Sequence, residues 1–127
     1  LPQFELHTID DQAFTADGLQ VLPVEVMHHS LPVKAFRMGK LAYITDAKTI
    51  APGEREKLRD LDVLVVNALR MKPHYSHVNV EEALALINEL APKRAFLTHI
   101  SHLMGLHAHV ELPAGVALAH DGLKVDL

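Results

Sequence analysis

Two apolar runs flanking one well-capped helix constrain this chain more than anything else in it. The first, Asp62-Val63-Leu64-Val65-Val66-Asn67-Ala68, is the mark of a strand buried on both faces. The second, Arg94-Ala95-Phe96-Leu97-Thr98, reads the same way. Between them the spacing predicts a helix over Val80 to Leu90. Asn79 stands at its cap and Glu82 at its third position, a reciprocal capping arrangement. Val80, Ala83, Leu84, Ile87 and Leu90 fall on one face, while Glu81, Glu82, Asn88 and Glu89 fall on the other. Pro92 ends the helix.

Extended structure dominates the flanks. Glu5 to Ile9 reads as a short strand before a turn at Asp10 and Asp11. After a second turn at Ala16-Asp17-Gly18, Leu19 to His28 reads as a strand, with Pro23 implying an edge or a bulge. Ala35 to Met38 and Leu41 to Thr45 are joined by Gly39-Lys40, a tight hairpin connection. Pro52 suits a first helical turn, and Glu54 to Arg59 gives a short polar helix. A closing hairpin is expected from Val116 to Ala119 and Leu123 to Val125, around Asp121-Gly122. Alternation in the middle and hairpins at the ends predict an α/β layered fold with a mixed sheet.

Bulk properties exclude several classes of function. The 127 residues amount to one domain, with ordinary globular composition at 49% hydrophobic and 22% charged. A net charge of −4 and 5% aromatics offer neither a basic stripe nor a stacking platform, so nucleic acid is not an expected partner. The absence of cysteine removes disulfides, thiolate nucleophiles and thiolate zinc sites together. No apolar run approaches the roughly 20 residues of a membrane span. Leu1-Pro2-Gln3-Phe4 is not a signal peptide, and such a start reads as that of a processed or excised piece; the expected location is the cytoplasm.

Histidine is the unusual component, ten in 127 residues. Layered α/β proteins gather their ligands where strands end. Here the strand at Glu25-Val26-Met27 runs into His28, that at Tyr43-Ile44-Thr45 into Asp46, and that at Phe96-Leu97-Thr98 into His99. The run Val63 to Ala68 is followed by His74 and His77. Imidazole with carboxylate suits zinc, manganese or iron. A solvated turn or an Asx cap explains each residue singly, but three such endings in one chain favour a shared metal or acid/base site.

These segments resemble the metallo-β-lactamase superfamily, in its branch of phosphodiesterases and tRNA-processing endonucleases. Val26-Met27-His28, Tyr43-Ile44-Thr45-Asp46, Ser76-His77-Val78-Asn79 and Leu97-Thr98-His99-Ile100-Ser101 look like four of its blocks in order, over roughly residues 20 to 125. His77 and His99 stand 22 positions apart, as the family pattern asks. The resemblance implies half of an αββα sandwich with helices on the outer face. It implies two divalent metal ions, zinc or manganese, with His28 on one, His99 on the other and Asp46 bridging. It makes His77 the proton donor and water the nucleophile in hydrolysis of a small phosphodiester. His77 should then lie beside the metal cluster rather than within it.

The family's His-x-His-x-Asp-His block is absent. His107-Ala108-His109 has its first spacing, but Val110-Glu111 comes next, so both are read as surface residues, and His102 as a solvent or supporting residue. The expectation is a C-terminal part of one domain, inactive alone, whose open sheet face pairs with the missing N-terminal part or with a second copy. Two other functions compete: a non-catalytic binding or assembly module, and a histidine-rich metal-binding protein. An upstream His-x-His-x-Asp-His block would exclude the former. Placement at strand ends rather than in a tract weighs against the latter.

Overall fold

Seven strands lie side by side in chain order in one mixed sheet of the computed structural model, which describes residues 1–127. β1 (Phe14–Ala16), β2 (Leu19–His28), β3 (Leu31–Met38) and β4 (Leu41–Ile44) pair antiparallel in succession. β5 (Val63–Asn67), β6 (Arg94–Thr98) and β7 (Val116–Leu118) continue the sheet in parallel with β4. The change arises from the connections. Two-residue turns such as Gly39-Lys40, with Gly39 at φ 58°, return the chain at once. Beyond β4, longer crossovers carry it back to the sheet's other end, through α1 (Pro52–Glu56), then α2 (Val80–Leu90), then a loop of two 3-10 turns.

The helix α2 has the boundaries its pattern predicts. Asn79 Oδ1 accepts from the Glu82 backbone N–H at 2.8 Å, and Glu82 Oε1 accepts from the Asn79 N–H at 3.3 Å. Its Val80, Ala83, Ile87 and Leu90 join Ala42, Ile44, Leu64, Val66, Ala95 and Leu97 of the central strands in a 20-residue core. The other face carries a cross-strand row, Phe36, Tyr43, Val65 and Phe96, fixed by the register. No helix covers it. Leu123 and Val125 border a cavity with Tyr43, Val65 and Phe96, yet Tyr43 stays 42% exposed. The architecture is thus the expected mixed sheet with helices on one side. No helix is long and apolar enough to cross a membrane.

Four expectations need correction. Glu5 to Ile9 forms no strand: residues 1–10 are exposed and pair with nothing, and an extended segment without a ladder partner has no support. β3 begins at Leu31, four residues earlier than Ala35, because pairing with β2 extends to His28↔Leu31. α1 stops at Glu56, short of Arg59, since Leu58 inserts fully into the core and Asp60 turns at φ 55°. Arg37 instead binds the carbonyls of Lys57 and Arg59, at 2.8 and 2.6 Å. The final hairpin has its turn but no returning strand, since β7 pairs only with β6. Pro23 lies beyond the reach of β1, which accompanies β2 only as far as Val21, so the edge reading holds and the bulge does not.

Leu64→Ala should cost about 2–5 kcal/mol of unfolding free energy, because it empties a fully buried position under α2. Asn79→Ala should cost only about 1 kcal/mol by removing the cap. Urea denaturation of both variants checks the order, and an equal loss would contradict this account of the core.

Candidate metal centre

β2 runs opposite to β3, and β3 opposite to β4, so β2 runs the same way as β4, β5 and β6. All four therefore end on one edge of the sheet. His28 closes β2, Asp46 comes after β4 and His99 after β6, so residues 18 and 53 positions apart in turn come to the same place. The loop after β4 is laced to the end of β2: the Met27 N–H donates to Thr49 O at 2.9 Å and the Lys48 N–H to Met27 O at 2.7 Å.

His77 stands at the centre of this group. Its Nε2 is 3.2 Å from His28 Nε2 and 3.5 Å from Asp46 Oδ1. Its ring stacks on that of His99 at 4.8 Å between centroids. Asp46 Oδ1 also lies 3.4 Å from His99 Nδ1. One donor atom each from His28, Asp46 and His77 falls within 4.8 Å of the other two. The resemblance implies a place for His77 beside the cluster, and the fold brings its Nε2 close to both His28 and Asp46, because residues 76–79 are drawn under the strand ends. The Val78 N–H donates to Ala47 O at 3.1 Å, and the Leu69 N–H to Val78 O at 3.0 Å. His99 adopts φ 54°, a left-handed conformation that costs a non-glycine residue about 1–3 kcal/mol and is often found at functional positions.

The chemistry of this set fits a divalent cation. Two imidazole nitrogens face each other at 3.2 Å beside a carboxylate, all half-buried, and none of the three receives a backbone N–H. Nitrogen and carboxylate oxygen are the donors that zinc and manganese take. Burial, then the neighbouring His28 and His99, hold the His77 imidazole below its ordinary range, while Asp46 acts in the opposite sense. Ser76 Oγ lies 3.0 Å from His77 Nδ1 and 3.2 Å from His74 Nδ1, which leaves His77 Nε2 turned toward the cluster.

The remaining histidines stay outside. His107 and His109 sit on an exposed 3-10 turn, as expected. His102, His107 and His120 border a cavity of about 650 Å³ that His99 also lines. His29 and His74 flank the ring of the exposed Tyr75. Three contributors escape the sequence pattern: Ser76, Lys48 and Asn67. Lys48 Nζ bonds both Glu82 oxygens, at 3.0 and 2.8 Å, and reaches His77 O at 3.4 Å. Asn67 has a signal, as the lone polar side chain within the Val63 to Ala68 run.

A histidine held below its ordinary pKa of 6.5 binds its proton more readily in the unfolded chain. Its contribution to stability is therefore present above about pH 6.5 and is lost as pH falls below that. With chelator present, the melting temperature should fall on acidification through this range, and His77→Ala should flatten the dependence. Identical slopes for the two proteins would refute it.

Residues 2–100 match the family described as the beta-lactamase superfamily domain. A solved diphosphatase of the PhnP family is 38% identical, with a TM-score of 0.93 over 97% of this chain and 49% of that one. Zinc-bound PqqB from Methylobacterium extorquens is 17% identical, with a TM-score of 0.72 over 92% of this chain and 54% of that one, a likeness of fold alone. A protein of Porphyromonas gingivalis named octanoyltransferase is 37% identical over 117 residues, which are 90% of this chain and 24% of that protein. The chain thus spans about half the length of the solved structures it matches and a quarter of the curated relative. With its mixed sheet, its helices on one face and its histidines and aspartate gathered at the strand ends, the chain belongs to the beta-lactamase superfamily of metallohydrolase folds.

Proposed function

We propose that this chain forms part of a metal-dependent phosphoric ester hydrolase, and that His28, Asp46 and His99 hold two divalent cations while His77 hands a proton to the leaving oxygen. The observation that carries the reading is the meeting of His28, Asp46, His77 and His99 at one strand edge. The 38% identity to a diphosphatase favours a phosphoryl substrate, here a small phosphodiester or diphosphate. When bound, the cations neutralise phosphoryl charge and supply a water acidic enough to attack near neutral pH. Asp46 has two oxygens and so can serve both ions. Ser76 fixes which nitrogen of His77 faces the reacting bond, and the burial of that ring keeps bulk water from competing for its proton.

The name octanoyltransferase belongs to a protein of which the matched segment is 24%. This chain has no cysteine, so a thiol nucleophile for acyl transfer would have to come from elsewhere. We therefore assign phosphoryl rather than acyl chemistry to these residues.

With Asp46 shared, each cation takes two ligands from this chain, whereas catalytic zinc usually takes three from protein. A companion segment, ahead of Leu1 in a longer protein or from a second copy, would supply the remainder. The 127-residue chain should accordingly bind zinc or manganese weakly in calorimetric titration and leave bis(p-nitrophenyl) phosphate intact. Tight binding of two ions per chain would reassign the ligands.

In the longer protein, Asp46→Ala should remove both bound metal and turnover. His77→Ala should lower kcat by about 10²–10⁴ with metal content retained. Metal analysis beside steady-state kinetics separates the outcomes. Loss of metal from His77→Ala would make it a ligand, and unchanged kcat would make it a bystander.

A further inference from the structure

Three consecutive residues at the end of β5 hold the loops that carry Asp46, His77 and His99. The Ala68 N–H donates to Thr98 O at 2.9 Å, one residue before His99. The Leu69 N–H donates to Val78 O at 3.0 Å, one residue after His77, and Leu69 O accepts from the Ser101 N–H at 2.9 Å. Asn67 does the equivalent for Asp46, but with its side chain. Its Oδ1 accepts from the Ala47 N–H at 3.0 Å and its Nδ2 donates to Ala47 O at 2.8 Å. Ala47 O is the same atom that accepts from the Val78 N–H at 3.1 Å. One carbonyl therefore joins the residue after Asp46 to the residue after His77, and the Asn67 carboxamide holds that carbonyl.

The backbone bonds of Ala68 and Leu69 can form with almost any side chains. The fork of Asn67 cannot. It needs a donor and an acceptor on one short planar group, inside a site where the residue is 0% exposed. Asp offers no donor when ionised, Gln is one methylene too long, and an apolar residue leaves the Ala47 N–H without a partner and its carbonyl with the Val78 N–H alone. A polar side chain at the end of an otherwise apolar strand is unfavourable unless its polar atoms find partners, and here both do.

We infer that Asn67 is a positioning residue for the site: its carboxamide sets the spacing of Asp46 and His77 by gripping Ala47. The inference rests on the functional reading of those two residues given above. Displacing a reacting group by about 1 Å costs on the order of 10²-fold in rate, so loss of the grip should appear in kcat. A purely structural role would appear in stability alone.

The test uses the longer, zinc-loaded protein with bis(p-nitrophenyl) phosphate as substrate. Asn67→Ala should lower kcat by about 10–100-fold while KM changes little. Leu90→Ala, in the core beneath α2, serves as a control that lowers the melting temperature without touching the fork; its kcat should stay near wild type. If kcat of Asn67→Ala tracks melting temperature as in the control, the inference is overturned. A second measurement needs no variant: in the wild-type protein the Ala47 amide should exchange as slowly as those of Val66 and Leu97. Rapid exchange at Ala47 would show that the fork does not hold. Asp46→Ala and His77→Ala run alongside. Full activity in both would overturn the functional reading itself, whereas inactive controls with an active Asn67→Ala would overturn only the role of Asn67.

Discussion

The parallel packing of β4, β5 and β6 under α2 is the constraint on which the rest depends. Ile44, Val66 and Leu97 lie level in register and are fully buried. Strands so locked cannot slide, because a one-residue slip would turn each apolar side chain to the opposite face. They consequently end together, and the loops beyond them must leave the sheet at the same edge. The polar residues placed there become neighbours without any attraction between them. Apolar burial of about 25 cal/mol per Å² thus meets the cost of bringing three imidazoles and a carboxylate into one half-buried space.

That cost is visible in His77. Its ring lies between those of His28 and His99, so charge on either neighbour disfavours charge on His77. Asp46 offsets part of this from 3.5 Å. An imidazole that resists protonation and turns its lone pair toward other donors suits a cation, since metal ligands must be deprotonated to bind. The lacing of Ala47, Val78 and Thr98 to the end of β5 keeps these rings from separating to relieve the crowding. The site is held together by backbone bonds and the Asn67 carboxamide rather than by attraction among the histidines and Asp46 themselves.

How much of this the sequence discloses differs by element. α2 and β6 are legible to the residue, because capping and periodicity are local and Pro92 marks the stop. The convergence of His28, Asp46 and His99 is legible because strand ends share an edge whenever the strands run one way. The nearness of His77 is implied by the resemblance and by no local signal. Nothing local says how far the loop between β5 and α2 will fold back, and only the bonds from Leu69 and Ala47 draw it inward. Glu5 to Ile9 misleads for the opposite reason: its composition suits a strand, but a strand also needs a partner, and partners are not written locally. Asn67 is hidden inside a run whose apolar character dominates its reading.

The helix-free face of the sheet and the candidate site meet at the same residues. Tyr43 and Thr98 border the cavity beside His99, and both also border the apolar cavity over Val65 and Phe96. A body that covered the Phe36, Tyr43, Val65 and Phe96 row would therefore reach the rim of the metal centre as a direct consequence of docking. Its apolar contacts would supply the binding free energy, and any donors it carried at that rim would be brought to Asp46 and His99 without a separate recognition step. Packing and metal binding on this edge would then be two readouts of one association. The chain, about half the length of the solved structures it matches, buries its core on the α2 side and leaves the opposite face without a helix.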